Sequence, residues 1–298
     1  MTSIKNILIA HDGSKSADSA IDDLLGSGLA SAGVTATVIS VAEVWLPPEP
    51  MTEAELPTEG MRAHLKANTE IFERVKESNA KAIERIKSHF PGWAVHSCVT
   101  SGSPAWEILY KAGELKSDLI VIGAQGLSAI DRLLLGSVSG RVVNEATCSV
   151  RVARGKVDVD AGSPRIVIAF DGSSGSRATV DAVTSRNWPQ GTEARLVIAS
   201  DGGGPFGHLG LKGEDIGDVA ASIVEKLKAS GLKADASIVE GNPKHVIVKE
   251  AEVFSADCIF VGATGHSPRI TQAFLGSVSS AVVTRAHCSV EVVKPTNH

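Results

Sequence analysis

Four sequence blocks occur twice in this chain, in the same order, and this internal repeat limits its architecture more than any other feature. The first copies are ILIAHDGS at 7–14, SDLIVIGAQG at 117–126, LGSVS at 135–139 and CSV at 148–150. The second copies are IVIAFDGS at 166–173, ADCIFVGATG at 256–265, LGSVS at 275–279 and CSV at 288–290. Such self-similarity indicates one structural unit built twice. A chain of 298 residues has room for two ordinary domains.

The offsets between copies set the predicted boundaries. Asp12 and Asp171 lie 159 positions apart, whereas Gly123 and Gly262 lie 139 apart, so the second half is 20 residues shorter between these points. We assign the extra chain to the Pro- and Glu-rich stretch near 43–60 of the first half. The prediction is a first domain at 1–153, a linker at 154–164 and a second domain at 165–298.

Each half reads as alternating strands and helices. In the first half, apolar and β-branched runs predict strands at 4–10, 35–41, 94–100, 118–123 and 149–153. Apolar residues at spacings of three, four and seven predict a helix over 65–86, as do shorter patterns elsewhere. Alternation of this kind gives a parallel sheet covered on both faces. The predicted fold class is therefore α/β, two repeated open five-stranded parallel sheets.

Composition excludes several classes of function. The net charge is −5 and no basic run occurs, which argues against nucleic acid or an anionic membrane as partner. No apolar stretch reaches the length of a membrane helix, and residues 1–14 do not resemble a signal peptide. We therefore expect a cytoplasmic protein. The four widely spaced cysteines are expected to be buried, reduced thiols.

The repeated blocks point to one crevice. In an open parallel sheet, ligands bind at the carboxyl ends of the strands, where the strand order reverses. With the order 3-2-1-4-5, that reversal lies between the first and fourth strands, which end at Asp12 and Gly123. An aspartate there is either an Asp-Gly turn residue or an acceptor of a hydrogen bond from a ribose or base.

Glycines follow the fourth strand at a spacing suited to phosphate. Gly123 and Gly126 allow a sharp turn and close approach of the backbone to a ligand. After nine further residues, Gly136 and Ser137 fall where the fourth helix should begin, and a helix N-terminus favours anions. Ser137 or Ser139 could cap that helix or donate a hydrogen bond to phosphate. The alternative is that the glycines only form a turn and the serine only caps the helix.

Other nucleotide and catalytic motifs are missing or poorly placed. The sequence contains no G-x-x-x-x-G-K-[ST], no G-x-S-x-G and no H-E-x-x-H. Residues 202–207 match G-x-G-x-x-G, but Pro205 interrupts them and no helix pattern opens on the third glycine. His11 could touch a ligand, yet Phe170 at its repeat position favours a packing role.

The pattern G-x2-G-x9-G-(S/T), after a first strand ending in Asp, resembles the ATP-binding type of universal stress protein, over nearly the whole chain and twice. The resemblance implies ATP, or AMP or ADP, with or without Mg²⁺. It also implies adenine near the first two strands, with Asp12 on ribose or base, Val41 meeting adenine through its main chain, and phosphates on the glycine loop. The full site set implied is Ala10, Asp12, Val41, Gly123, Gly126, Gly136, Ser137, Val138 and Ser139, with second-half counterparts Ala169, Asp171, Ser200, Gly262, Gly265, Gly276, Ser277, Val278 and Ser279.

One departure distinguishes the halves. Ten residues, not nine, separate Gly265 from Gly276, an insertion near 268–272 that predicts weaker phosphate binding in the second half. A family habit of pairing through the last strand also predicts an intramolecular pseudo-dimer of the two halves, with a homodimer as a further option. The predicted function is an adenine-nucleotide-binding regulator in stress responses. A slow ATP hydrolase or phosphotransferase and a nucleotide-free scaffold are the alternatives.

Overall fold

The computed structural model describes residues 4–47, 58–126, 135–154, 162–200, 215–264 and 275–294. In the first half the elements are β1 (Asn6–Ala10), α1 (Lys15–Asp23), a 3-10 turn (Leu24–Gly26), β2 (Ala32–Ala42), α2 (Glu59–His89), β3 (Gly92–Ser101), α3 (Pro104–Glu114), β4 (Leu119–Gly123), α4 (Ser137–Glu145) and β5 (Ser149–Ala153). In the second half they are β6 (Arg165–Ala169), α5 (Ser174–Thr184), β7 (Glu193–Ser200), α6 (Ile216–Ala229), β8 (Lys233–Glu240), α7 (Pro243–Val253), β9 (Cys258–Gly262), α8 (Ser277–Arg285) and β10 (Ser289–Val293).

The ten strands form one sheet in the order β3-β2-β1-β4-β5-β10-β9-β6-β7-β8. Each half contributes five parallel strands in the order 3-2-1-4-5, which confirms the predicted fold class and strand order. The halves meet where β5 and β10 pair antiparallel. The strand order reverses at β1 and β4 in the first half, and at β6 and β9 in the second.

Strands β4 and β9, in the interior of the sheet, are apolar along their whole length. Residues 119–123 of β4 and 258–262 of β9 are buried throughout, as expected for parallel strands covered by helices on both faces. Side chains such as Ile9 and Ile120 have no exposed surface, and burial of each contributes about 1.5–3 kcal/mol. One core cluster, under α3, α4, α7 and α8, runs through both halves. A second cluster lies under α1 and α2, and a third lies under α5 and α6.

The extra chain of the first half is mainly helical, which corrects the prediction that placed it near 43–60. Helix α2 has 31 residues and α6 has 14, a difference of 17. The connections that precede these helices are nearly equal in length, 43–58 and 201–215. The first turns of α2 are exposed, whereas Asn79, Ala82 and Ile86 near its end are buried. The amphipathic pattern predicted the later turns, because only those pack on the sheet.

Parts of the predicted linker and loops cannot be compared with the structure. Residues 155–161 of the linker, Gly265, the 268–272 insertion and the 202–207 glycine stretch lie outside the described residues. Among the helices that the structure does describe, none combines the length and apolar character needed to cross a bilayer.

Candidate functional site

The predicted crevice residues of the first half meet at the carboxyl ends of β1 and β4. A Cβ atom added to Gly126 would lie 2.8 Å from Oδ2 of Asp12. The first acidic residue of the repeat and the second loop glycine, 114 positions apart in sequence, are therefore in contact. The 3-2-1-4-5 order alone predicts this meeting, because it makes β1 and β4 neighbours.

The side chain of Asp12 organises the turn from β1 into α1. Its Oδ1 accepts a hydrogen bond from the Ser14 amide at 2.9 Å, across Gly13, whose φ is +84°. Ser14 then caps α1 by accepting from the Ala17 amide at 3.1 Å. The second half repeats the arrangement, with the Ser173 amide donating to Oδ1 of Asp171 at 3.0 Å. The turn function predicted as one alternative for Asp12 is thus present.

A glycine amide closes the base of the glycine loop in both halves, but the serine hydroxyl beside it uses a different carbonyl in each. The Gly136 amide donates to the Ala124 carbonyl at 2.8 Å, and the buried Ser139 hydroxyl donates to the same carbonyl at 2.9 Å. In the second half, the Gly276 amide donates to the Ala263 carbonyl at 2.7 Å. The Ser279 hydroxyl donates to the Gly262 carbonyl at 2.6 Å. With the additional residue in the second loop, the glycine amide bond is kept, whereas the serine hydroxyl bonds a carbonyl one residue earlier in the chain.

The repeated glycines serve different physical needs. A Cβ on Gly123 would lie 2.6 Å from Oγ of Ser16 and 2.9 Å from the Ser16 carbonyl oxygen, so this glycine lets the start of α1 pack on β4. A Cβ on Gly262 would likewise meet the backbone of Gly175 at 2.6 Å. Gly126 meets only the tip of a side chain. Gly123 and Gly262 are needed for the helices to pack closely on the strands. Gly126 instead lies beside the carboxylate of Asp12.

Helix α4 begins without a side-chain cap. Its N-cap is Gly136, which makes no side-chain cap hydrogen bond, and Gly276 occupies the same place in α8. Gly140 is the first residue of α4 whose amide returns to the cap carbonyl, at 2.8 Å. The preceding amides of Ser137, Val138 and Ser139 precede the intrahelical ladder and belong to the positive end of the helix dipole. Ser137 is exposed, Val138 is half-buried, and Ser277 and Val278 match them.

The main chain of β2 extends past the end of β1 into the crevice. The His11 amide donates to the Ile39 carbonyl at 2.9 Å, so Ile39 faces β1. In a parallel sheet, residues two apart point their main-chain groups to the same side. Val41 therefore presents its amide and carbonyl where β1, which ends at Ala10, no longer pairs with them. Ala10 itself is buried in the core below, as is Ala169 in the second half.

The second-half counterpart of Val41 is Ala199, which corrects the assignment of Ser200. The Phe170 amide donates to Val197 at 2.9 Å, so Ala199, two residues on, has the orientation of Val41. The Ser200 carbonyl accepts from the Gly241 amide at 2.7 Å and faces β8. The offset between halves falls from 159 at β1 to 158 at β2, where Ala36 and Ala194 hold equivalent registers. The single missing residue changes which side of the strand faces the crevice.

The two crevices also differ at the start of the helix that flanks them. In the first half the Ser16 hydroxyl lies 3.4 Å from the Gln125 amide. In the second half Gly175 replaces this serine, and a Cβ on Gly175 would lie 2.4 Å from the Thr264 carbonyl oxygen. The chain after β9 thus lies directly against α5. A serine hydroxyl thus lies between helix and loop in the first half, where the second half has direct backbone contact.

A buried polar network supports the first crevice, and the sequence analysis missed it. The Ser40 hydroxyl donates to the His11 carbonyl at 2.6 Å, and Nδ2 of Asn79 donates to Ser40 Oγ and to the Val38 carbonyl, both at 3.0 Å. Asn79 has no exposed surface. A buried asparagine on the apolar face of a helix is the signal that could have revealed this network. His11 packs internally, with Nε2 3.0 Å from Oδ1 of Asp18, in line with the predicted packing role.

Among the described residues, no group of three or more His, Cys, Asp or Glu side chains is arranged to hold a metal ion. Asp12 and Asp171 follow the first strands of the two halves, β1 and β6.

Comparison with known proteins places this geometry in a family. The model of the universal stress protein family matches residues 3–154 and 163–294. A universal stress protein of Methanocaldococcus jannaschii is 40% identical over 86 residues, 28% of this chain and 51% of that protein. One from Mycolicibacterium smegmatis is 28% identical over 189 residues, 60% of this chain and 62% of that protein. The matches thus span about half to three fifths of these relatives.

The fold has a solved counterpart over its whole length. The crystal structure of a universal stress protein from Archaeoglobus fulgidus superimposes with a TM-score of 0.67 at 21% identity. The match covers 99% of this chain and 98% of that chain. At this identity the likeness establishes the shared tandem fold.

Proposed function

The chain belongs to the universal stress protein family, and from this premise we propose that it is a stress-response regulator whose first half binds an adenine nucleotide, with ATP as the preferred ligand. The nucleotide lies across the crevice at the ends of β1, β2 and β4. Its phosphates sit at the start of α4, and its sugar and base lie toward Asp12 and Val41. ADP and AMP fit the same crevice with fewer phosphate contacts.

The observation that carries this proposal is the glycine-capped start of α4. Helices α1 and α5, which follow the first strand of each half, are closed by their own serines, Ser14 and Ser173. Helix α4 has a glycine at the cap and no side-chain cap bond. Early amides without a cap, together with the helix dipole, bind anions. The hydroxyl of Ser137 is exposed beside them and adds a donor, whereas Ser139 already uses its proton on a backbone carbonyl.

The base is recognised through the main chain of Val41. Adenine carries an amino donor next to ring-nitrogen acceptors, and guanine has an acceptor oxygen in place of that amino group. A carbonyl and an amide that point the same way, as at Val41, complement the donor and acceptor of adenine. The carboxylate of Asp12 accepts a hydrogen bond from the ribose or the base. We therefore expect ATP to bind more tightly than GTP.

The first half should bind more tightly than the second. Asp171, Gly276 and Ser277 persist in the second crevice, so binding is weakened and not abolished. The backbone after β9 is drawn against α5, and the second loop has one more residue. Each charge-assisted hydrogen bond lost from a phosphate costs about 1.5–3 kcal/mol, which is at least about tenfold in affinity.

Isothermal titration of the intact chain with ATP and GTP, with and without Mg²⁺, tests the proposal. Gly126→Val should remove the tighter ATP site, and Gly265→Val should remove the weaker one. Asp12→Asn keeps the acceptor for the Ser14 amide but loses the charge, so it should weaken ATP binding without unfolding the turn. Absence of ATP binding, or unchanged affinity in Gly126→Val, would contradict the proposal. Phosphate release measured in the same samples distinguishes a binding protein from a slow hydrolase.

A further inference from the structure

Within the sheet the two halves join at one pair of antiparallel strands, and a charged pair lies at its centre. In the register of β5 and β10, Arg151 stands directly opposite Glu291. Their flanking pairs are valines, Val150 with Val292 and Val152 with Val290. The side chains of Arg151 and Glu291 are only 2% and 1% exposed. We call this strand pair and its charged side chains the seam.

The charges form one continuous buried chain across the seam. Nε of Arg151 donates to Asp23 at 2.5 Å, and Nη1 donates to Oε2 of Glu291 at 3.1 Å. The other oxygen of Glu291 accepts from Arg186. Burial alone would lower the pKa of Arg151, but the Asp23 and Glu291 carboxylates raise it above its usual value, so the guanidinium stays charged. Two buried cations and two buried carboxylates thus neutralise one another.

Outside this central pair, the seam is close to two-fold symmetric. The Arg154 amide donates to the Ser289 hydroxyl at 3.0 Å, and the Lys294 amide donates to the Ser149 hydroxyl at 3.1 Å. The side chain of Arg154 donates to the Val283 carbonyl in α8, and the side chain of Lys294 donates to the Ala146 carbonyl at the end of α4. Each side chain thus caps a helix of the other half. The backbone therefore suits either half as a partner. The halves differ at the centre of the pair, with arginine in the first half and glutamate in the second. They differ again in two bonds between the halves, from the Ser289 hydroxyl to Asp23 at 2.7 Å and from Nη1 of Arg186 to the Ser27 carbonyl at 2.8 Å.

We propose that the buried Arg151–Glu291 pair makes the seam selective, so that a first half accepts only a second half as its partner. Two first halves joined in this register would place Arg151 against Arg151, and two second halves would place Glu291 against Glu291. Each half brings its own counter-ion, Asp23 or Arg186, but the central contact would be between like charges where water cannot screen them. This selectivity is independent of nucleotide binding.

The proposal limits how the chain can associate. Within one chain, the seam is already closed by the chain's own second half, so a dimer cannot form by adding a copy at β5 or β10. Two chains can share seams only by a reciprocal exchange of halves, which keeps every pair mixed. Any other self-association must use a different surface.

Cleavage of the intact protein tests the pairing directly. A protease site inserted at 155–161 converts the chain into two fragments of different mass. Light and isotope-labelled cleaved samples are then mixed in sub-denaturing urea until the labels have exchanged, and native mass spectrometry identifies each complex. The expected result is exchange among first–second complexes only. Because like charges in place of opposite ones cost several kcal/mol, same-half complexes should be scarcer by at least about a hundredfold.

Variants separate charge from packing. Arg151→Lys keeps the charge and should keep the mixed pairing. Arg151→Met removes the repulsion between first halves, so first–first complexes should become detectable. Arg141→Met, which breaks an exposed pair with Glu145 in the same half, is the matched control and should pair like the wild type. Same-half complexes in the wild type, fragments that separate after cleavage, or an Arg151→Met variant as selective as the wild type would each overturn the proposal.

Discussion

A single added methyl group at Gly126 should weaken nucleotide binding while leaving the fold intact. The Cβ of Gly126→Ala would lie 2.8 Å from Oδ2 of Asp12, whereas ordinary contacts begin at 3.4 Å. The carboxylate must therefore retreat by about 0.6 Å, which is the difference between these two distances. The obstacle is the tip of a side chain, and the backbone of Gly126 is not in the left-handed region. The protein can accommodate the change by moving Asp12.

The displacement disturbs the ligand contact proposed for Asp12. A hydrogen bond between a charged group and its partner contributes about 1.5–3 kcal/mol. Loss of that one contact corresponds to roughly a 10- to 150-fold weaker affinity for ATP. Titration calorimetry measures the affinity, and urea unfolding of the same preparation measures the stability.

Two other glycines provide the controls. At Gly123 the added Cβ would meet the backbone of Ser16 at 2.9 Å, and overpacking of this kind costs about 1–3 kcal/mol. Gly123→Ala should therefore lower the free energy of unfolding. Gly113→Ala lies in α3, where a Cβ meets nothing within 4 Å, so it should leave binding near wild type and raise stability by up to about 1 kcal/mol. The reasoning is refuted if Gly126→Ala binds ATP as well as Gly113→Ala does, or loses as much stability as Gly123→Ala.

Two further predictions concern ionisable groups outside the crevice. Burial raises the pKa of Cys148 to about 11 and that of Cys288 to about 12, from an ordinary 9.0, so alkylation at pH 8 should be at least about a hundredfold slower than in urea-unfolded protein; equal rates in a mass-mapped assay would contradict this. Burial would raise the pKa of Asp22, but hydrogen bonds from Arg85 and His89 lower it below 3.8 overall. Because the folded pKa is the lower one, the stabilisation is present above pH 3.8 and disappears as the pH falls through the folded value. Asp22→Asn should therefore be less stable than wild type in urea at pH 7 and nearly equal at pH 2–3, and a difference that persists in acid would argue against the ion pair.

The repeat and the apolar runs are enough to predict the sheet, because strands that are apolar on both faces must be covered by helices on both sides. The residues of β4 and β9 are apolar throughout. Because the two halves share the same loop motifs, the strand order of the sheet should reverse at equivalent strands in both. The meeting of Asp12 with Gly126 followed from that order. These features depend on element type and sequence order, which hydrophobic patterning determines well.

Two assignments are wrong for different reasons, and the buried charges of the seam are missed. Ser200 was assigned in place of Ala199 because one residue is missing before β7, and a shift of one residue turns a strand's main chain to its other side. The extra chain was assigned to a Pro-rich loop because the exposed first turns of α2 carry little apolar periodicity. The seam was not foreseen, although an arginine and a glutamate at the centre of two matching apolar strands were visible as an anomaly. A buried charge in such a strand needs an oppositely charged partner. The partners here, Asp23 and Arg186, lie near the ends of α1 and α5, far from the strands in sequence.

We propose above all that the first half of this chain carries an adenine nucleotide. The most direct test is to purify the protein without added nucleotide, denature it by heat, and identify the released small molecules by mass spectrometry, with Gly126→Val prepared in parallel. We expect ATP or its hydrolysis products from the wild type and a marked loss from Gly126→Val. A guanine nucleotide, or equal amounts of adenine nucleotide from the wild type and Gly126→Val, would contradict it.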